Sequence, residues 1–168
     1  MATEAFPVLD PSELAALGDD ELRDTVRAYL RGLLPEAWLD AVYRNDRDAL
    51  RAARGTLDLS AWWKALAASG LAAPRWEIGR GGLGLSGSRA RIVTGELRRV
   101  RAPRTTNPVG MDLVGPVLMR HGSDEQKALL ARIASHEEIW CELFSEPGAG
   151  SWRRTRCPEP GSTSTRCH

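Results

Sequence analysis

From Leu22 to Ile133 the apolar residues of this chain recur at three- and four-residue spacing, and beyond Ser151 no Val, Ile, Leu or Phe occurs. Helical spacing gathers apolar side chains into one stripe, and a stripe is stable only when buried against another element. The front of the chain is therefore expected to pack helix on helix, whereas its last segment has no face to bury. Leu22, Val26, Tyr29, Leu30 and Leu33 form the first stripe. Asp19 and Asp20 suit the positive end of its dipole, and Pro35 ends the run. A second helix is expected over residues 37–54, with Gly55 just past it and a solvated charge run from Arg44 to Arg51. Ser60 is expected to cap a third helix that carries Trp62, Trp63 and Leu66 and is closed by Gly70. Adjacent tryptophans leave a helix in different directions, which places one in the core and the other at an edge.

Ser86 or Ser88 opens the next helix through Ile92, Val93, Leu97 and Val100, and residues 103–108 break it. Met111, Val114, Val117 and Leu118 mark another, ending near His121-Gly122. Ser123 and Gln126 make a capping box for a helix through Leu129, Leu130 and Ile133. About six helices are expected in all. His121 and His136 fall near helix C-termini, where a cation is favoured, and neither has a nucleophile or base partner in the sequence pattern.

Two glycine-rich stretches raise phosphate binding as an alternative to simple turns. Residues 79–87 contain Gly81-Gly82-Leu83-Gly84, but no Lys-Ser/Thr pair comes after them and no clear strand precedes. A packing loop suits them better. The second stretch is Trp140-Cys-Glu-Leu-Phe-Ser-Glu-Pro-Gly-Ala-Gly-Ser151, an apolar run expected to be a strand that enters a tight loop. Glycines there let consecutive N–H groups turn toward an anion, though such a loop also serves as a plain turn. Cys141 in that strand is expected to be a small buried apolar residue.

The residues 140–151 resemble the signature at the start of the middle β domain of acyl-CoA dehydrogenases. Upstream motifs resemble that family's first domain in the same order. They are Pro74-x-Trp76, Gly79-Arg-Gly-Gly-Leu-Gly-Leu-Ser86, Glu96-Leu97, Ala102-Pro103, Asn107-Pro-Val-Gly110, Gly115-Pro116 and His121-Gly-Ser-Asp-Glu-Gln-Lys127. The resemblance covers residues 57–151. It implies a mainly α fold, a helical N-terminal domain of the acyl-CoA dehydrogenase type, with one or two orphan β-strand segments at the C-terminal end. It divides the chain into a loosely held arm at 1–18, the helical domain at 19–137, the beginning of the middle β domain at 138–151, and a non-homologous tail at 152–168.

The same resemblance implies FAD as cofactor and an acyl-CoA thioester as substrate, with hydride passing from the substrate β-carbon to flavin. Leu143, Phe144 and Ser145 would run beside the flavin ring, with Ser145 supplying a hydroxyl and an N–H to its edge. Gly150 and Ser151 would approach the FAD pyrophosphate, and Ser151 would also lie near the CoA-bearing end of the substrate. Glu142 stands where some members carry an aromatic residue. The family's proton-abstracting acid lies late in its chain, so no catalytic residue is assigned to this one, and Glu146 belongs to the loop. Homo- or hetero-oligomers with other acyl-CoA dehydrogenase subunits are the implied assembly. A non-catalytic fragment or docking subunit on a full-length paralogue is the alternative.

From Trp152 onward the family pattern is lost in favour of Arg, Pro, Ser, Thr and Cys. Trp152 must be encoded TGG. If Arg153 is CGN, reading one base earlier gives Leu-Ala, Met-Ala or Val-Ala, and Leu-Ala would suit the family. A frameshift product is therefore expected there, with a genuine short disordered tail as the other option. A formal charge of +1 over 168 residues argues against a dedicated nucleic-acid or membrane surface. No apolar run approaches the roughly 20 residues that cross a bilayer. The N-terminus lacks a secretory pattern, which leaves a cytoplasmic location as the expectation. Neither the three cysteines nor the histidines have zinc-ligand spacing.

Overall fold

The computed structural model describes residues 8–142, and among them every regular element is helical. Helix α1 (Pro11–Ala16) starts where the Asp10 carboxylate accepts from the N–H groups of Ser12 and Glu13, at 2.8 and 3.0 Å. Leu14 is buried, and the Leu9 N–H donates to Ser69 Oγ. The loose arm expected up to Gly18 is thus corrected for its described part. One buried leucine and one long-range hydrogen bond tie it to the core.

Helix α2 (Asp19–Leu33) buries the expected stripe of Leu22, Val26, Tyr29, Leu30 and Leu33. The single helix expected over residues 37–54 is instead two, α3 (Glu36–Tyr43) and α4 (Arg47–Arg54). Asn45 lies in the left-handed region at φ 56, which stops α3. Asp46 then caps α4, accepting from the Asp48 and Ala49 N–H groups. Asn and Asp are the residues that tolerate such a turn and complete it with their own side chains.

Helix α5 (Leu59–Ala68) is capped by Asp58, two residues before the expected Ser60. Its end agrees with expectation: Gly70 takes φ +70, and the Leu71 N–H reaches back to the Leu66 carbonyl. Trp62 and Trp63 are both buried, so the core-and-edge division does not hold. The second ring is covered by His136, which arrives from far along the chain.

Helix α6 (Gly87–Arg99) is capped by Ser86 and lies against α2. Glu96 of α6 is buried and holds Arg27 of α2 through two hydrogen bonds of 2.9 and 3.1 Å. Arg99 adds a third at 2.7 Å. Hydrogen bonds from Arg27, reinforced by Arg99, hold the Glu96 carboxyl below the usual carboxylate range despite its burial.

After the break at residues 103–108 comes a π-helical segment, Val109–Val114, running directly into α7 (Gly115–His121). The capping box of Ser123 and Gln126 opens α8 (Asp124–Lys127), and α9 (Leu129–Ala134) begins after one residue. Most of the core lies among α2, α3, α5 and α6. A second cluster joins Trp76, Leu130, Ile133 and Ala134 to Met111, Val114 and Leu118. Gly115 makes that junction possible, since a Cβ there would lie 2.1 Å from the Trp76 ring.

The glycine-rich loop between α5 and α6 serves close packing. A Cβ on Gly82 would lie 2.2 Å from the Trp76 carbonyl oxygen, and one on Gly81 would lie 2.6 Å from the Ala134 methyl. At the far end, residues 138–142 form no strand, and Cys141 is exposed rather than buried. A strand needs a neighbour for its backbone groups, and no described segment pairs with this one.

Candidate functional site

The segment that leads into the glycine loop is anchored by one side chain. Asn107 is fully buried and makes four hydrogen bonds. Its Nδ2 donates to the carbonyls of Ile133 and Glu138, at 3.2 and 2.8 Å. Its Oδ1 accepts from the N–H groups of Gly110 and Trp140, at 3.3 and 3.0 Å. An asparagine amide offers two donor hydrogens and two acceptor lone pairs, so this group is saturated. It joins the end of α9, the π-helical segment and the chain entering residue 140 at one point. Gly110 allows the approach, because a Cβ there would lie 2.5 Å from Asn107 Oδ1.

His136 supports the same corner. Its ring stacks on Trp63 with centroids 4.1 Å apart, and its nitrogens meet the hydroxyls of Thr105 and Thr106 at 2.9 and 3.3 Å. Burial lowers its pKa from the ordinary value near 6.5. His136 does lie just past the end of α9, but its burial, stacked on Trp63, disfavours the charged form that the expected role as a cation there needs. His121 does lie in the last turn of α7.

Beyond the Asn107 clamp the chain passes along an apolar groove of about 290 Å³. Val109, Leu113 and Val117 line one side at four-residue spacing, and Cys141 and Glu142 line the other. Leu113 and Val117 remain 51% and 58% exposed. The expected flavin and substrate contacts, Leu143, Phe144, Ser145, Gly150 and Ser151, lie outside the described residues. The described residues therefore hold the approach to that loop but none of the groups expected to touch a flavin. In the sequence Asn107 stands out only as part of a motif. Its anchoring role rests on partners 26 to 33 residues away, which no local pattern signals.

The family model described as acyl-CoA dehydrogenase, N-terminal domain, matches residues 18–137, well over half of the chain. The chain belongs to the acyl-CoA dehydrogenase family. The match ends just before the segment that Asn107 pins, so the clamp joins the acyl-CoA dehydrogenase helical domain to the chain beyond residue 137. The chain is 41% identical over 92 residues to acyl-CoA dehydrogenase IpdE1 of Mycolicibacterium smegmatis, a stretch covering 54% of this chain and 24% of that protein. IpdE1 of Mycobacterium tuberculosis gives the same identity and coverage. Acyl-CoA dehydrogenase FadE34 of Mycobacterium tuberculosis is 36% identical over 88 residues, 52% of this chain and 12% of that protein. The matched region thus spans about a quarter or less of these relatives' length. No solved structure gives a significant match. Among the described residues no helix is long and apolar enough to cross a membrane, and no group of three or more His, Cys, Asp or Glu is placed to hold a metal ion.

Proposed function

We propose that this chain is the N-terminal portion of an FAD-dependent acyl-CoA dehydrogenase, an enzyme that introduces an α,β double bond into an acyl-CoA thioester. The observation that carries this reading is the Asn107 clamp. A saturated, buried amide fixes the chain at Glu138 and Trp140, immediately ahead of the loop that resembles the family's flavin motif. Such anchoring is what a loop needs if it is to present backbone N–H groups to a ligand at a fixed place.

Acyl-CoA dehydrogenases generally use FAD, and Leu143, Phe144, Ser145, Gly150 and Ser151 are the residues that would meet it in this chain. The described residues offer no donor set suited to a flavin. A proton-abstracting acid must stand within about 3 Å of the proton it takes. The family's acid lies in a late part of the chain, and the matched region covers 24% of IpdE1. The chain by itself is accordingly inactive in this proposal, with homo- or hetero-oligomers formed by the intact enzyme.

The exposed groove of Val109, Leu113 and Val117 favours a second reading, a non-catalytic piece that docks onto a full-length paralogue. Purification of the 168-residue chain with added FAD, with absorbance and a dye-coupled assay across short to long acyl-CoAs, tests the first reading. Colourless protein without turnover is expected. Stoichiometric flavin, or turnover above an enzyme-free control, refutes the inactive-fragment part. A chain carried in frame to the length of these relatives should give a yellow, active protein whose flavin retention weakens on Ser151→Ala. Failure of that protein to bind flavin refutes the family activity itself.

A further inference from the structure

We infer that the cleft between α3–α4 and the C-terminal end of α6 binds a small organic phosphate whose flat or apolar body covers the cleft floor. The cleft measures about 770 Å³, within the range of small-molecule sites. Its floor is apolar, with Trp38, Trp63, Leu66 and Leu97 among the lining residues. Its rim carries Arg47, Arg51, Arg54, Arg98, Arg101 and Arg104, and no Asp or Glu lines it.

The floor is rigidly built. Trp38 is buried and its indole N–H donates to the Val100 carbonyl at 2.8 Å, which fixes α3 against the end of α6. Trp63 is held from behind by the His136 stack. The rim charges are mostly uncompensated. Arg51 approaches Asp48 only at 3.9 Å, and Arg101 donates to the neutral Asn45 side chain. Among the described residues, no carboxylate lies within 4.0 Å of Arg47, Arg54, Arg98 or Arg104.

Helix dipoles explain single arginines but not the cluster. Arg51 and Arg54 close α4, and Arg98 closes α6. Each helix end supplies only about half a negative charge, so two ends offset roughly one of the six cations. The rest repel one another across an apolar floor, and a multiply charged anion relieves that repulsion. Guanidinium groups suit phosphate oxygens in particular, because their planar donors meet two oxygens at once and stack on flat rings. A free inorganic anion would use the rim alone, whereas the floor selects for a body attached to the phosphates.

The test titrates the full chain with ATP, with inorganic triphosphate and with adenosine, read by calorimetry and by tryptophan fluorescence. ATP is expected to bind saturably, at least tenfold tighter than either of the others, with affinity falling as salt rises. The double variant Arg98→Glu/Arg104→Glu should weaken ATP at least tenfold. The control Arg91→Glu, on the exposed side of α6 outside the cleft, should change it less than threefold. Both variants carry exposed substitutions and should keep the parent helicity and melting temperature. Equal affinity for ATP and triphosphate, equal loss in Arg91→Glu, or no saturable binding would each overturn the inference.

Discussion

Replacing Asn107 with alanine removes four hydrogen bonds at once and leaves three of the four backbone groups to find new partners, since the Ile133 carbonyl still accepts from the His136 N–H at 3.2 Å. Each bond contributes about 0.5–1.5 kcal/mol net, and a buried group left unpaired costs about 1–3 kcal/mol. The four partners differ in their access to water. Gly110 and Ile133 are buried, while Glu138 and Trp140 are half-buried and can be hydrated once released. Counting the buried Gly110 N–H as unpaired and the other three as lost bonds gives a cost of about 2.5–7.5 kcal/mol. Local relaxation brings the expected value to about 2–4 kcal/mol, a large part of a typical domain's 5–15 kcal/mol. Asn107→Asp is no rescue. It keeps the acceptor for Gly110 and Trp140 but turns a carboxylate oxygen toward the carbonyls of Ile133 and Glu138. Urea unfolding monitored by circular dichroism gives the stability change, provided the slope is unchanged. Amide exchange at Trp140 and Gly110 reports the clamp directly, and both should lose protection in Asn107→Ala. A destabilisation under about 1 kcal/mol in Asn107→Ala, with Trp140 still protected, would refute the clamp and its role ahead of the loop.

Gly115→Ala should destabilise by about 1–3 kcal/mol, the usual cost of overpacking, because its Cβ would lie 2.1 Å from the buried Trp76 ring; urea unfolding checks it. Gly82→Ala should cost at least as much, since its Cβ meets a backbone carbonyl that cannot rotate away, and the same unfolding curves rank the pair. His136 is harder to protonate when folded than when unfolded, so the unfolded chain binds more protons on acidification. Stability should therefore fall as pH drops below about 6.5, and His136→Phe should flatten the melting temperature between pH 7.5 and 5.5. Glu96 behaves in the opposite range: its carboxyl is held low, so its contribution is present above the ordinary carboxylate value of 4.5 and is lost as pH falls further. Glu96→Gln should lower the urea midpoint at neutral pH, more than the exposed change Asp20→Asn, and should leave a smaller difference from the parent at pH 3.5.

The parts of the fold that the sequence announces are those settled within a few residues. Ser86 caps α6, Ser123 and Gln126 box α8, and Gly70 closes α5, each through groups five or fewer positions apart in the cap itself. The division of α3 from α4 had a local signal too. Asn45-Asp46 combines a residue tolerant of positive φ with a strong cap, but the surrounding charge alternation masks it. The core face of Trp63 had no such signal. A tryptophan beside another tryptophan cannot disclose that a histidine 73 positions later will cover it, since that depends on how α9 crosses α5.

The candidate site divides along the same line. Ordered motifs from Pro74 to Ser151 carried the family, because several spaced patterns constrain far more than any one of them. They did not disclose what holds the chain ahead of the loop. Asn107 is one polar residue in a proline-bounded break, a setting in which asparagine most often completes a local turn. Here its amide reaches across the junction of α9 and the π-helical segment, and the turn beside it is made instead by Thr105, whose hydroxyl accepts the Asn107 N–H. Position along the chain thus identifies the loop, while the described chain ahead of it, at Glu138 and Trp140, is held by a long-range clamp. Substitution at Asn107 should accordingly disturb residues 138–142 and the start of the π-helical segment before it disturbs α2, α5 or α6, whose caps and core contacts do not involve Asn107.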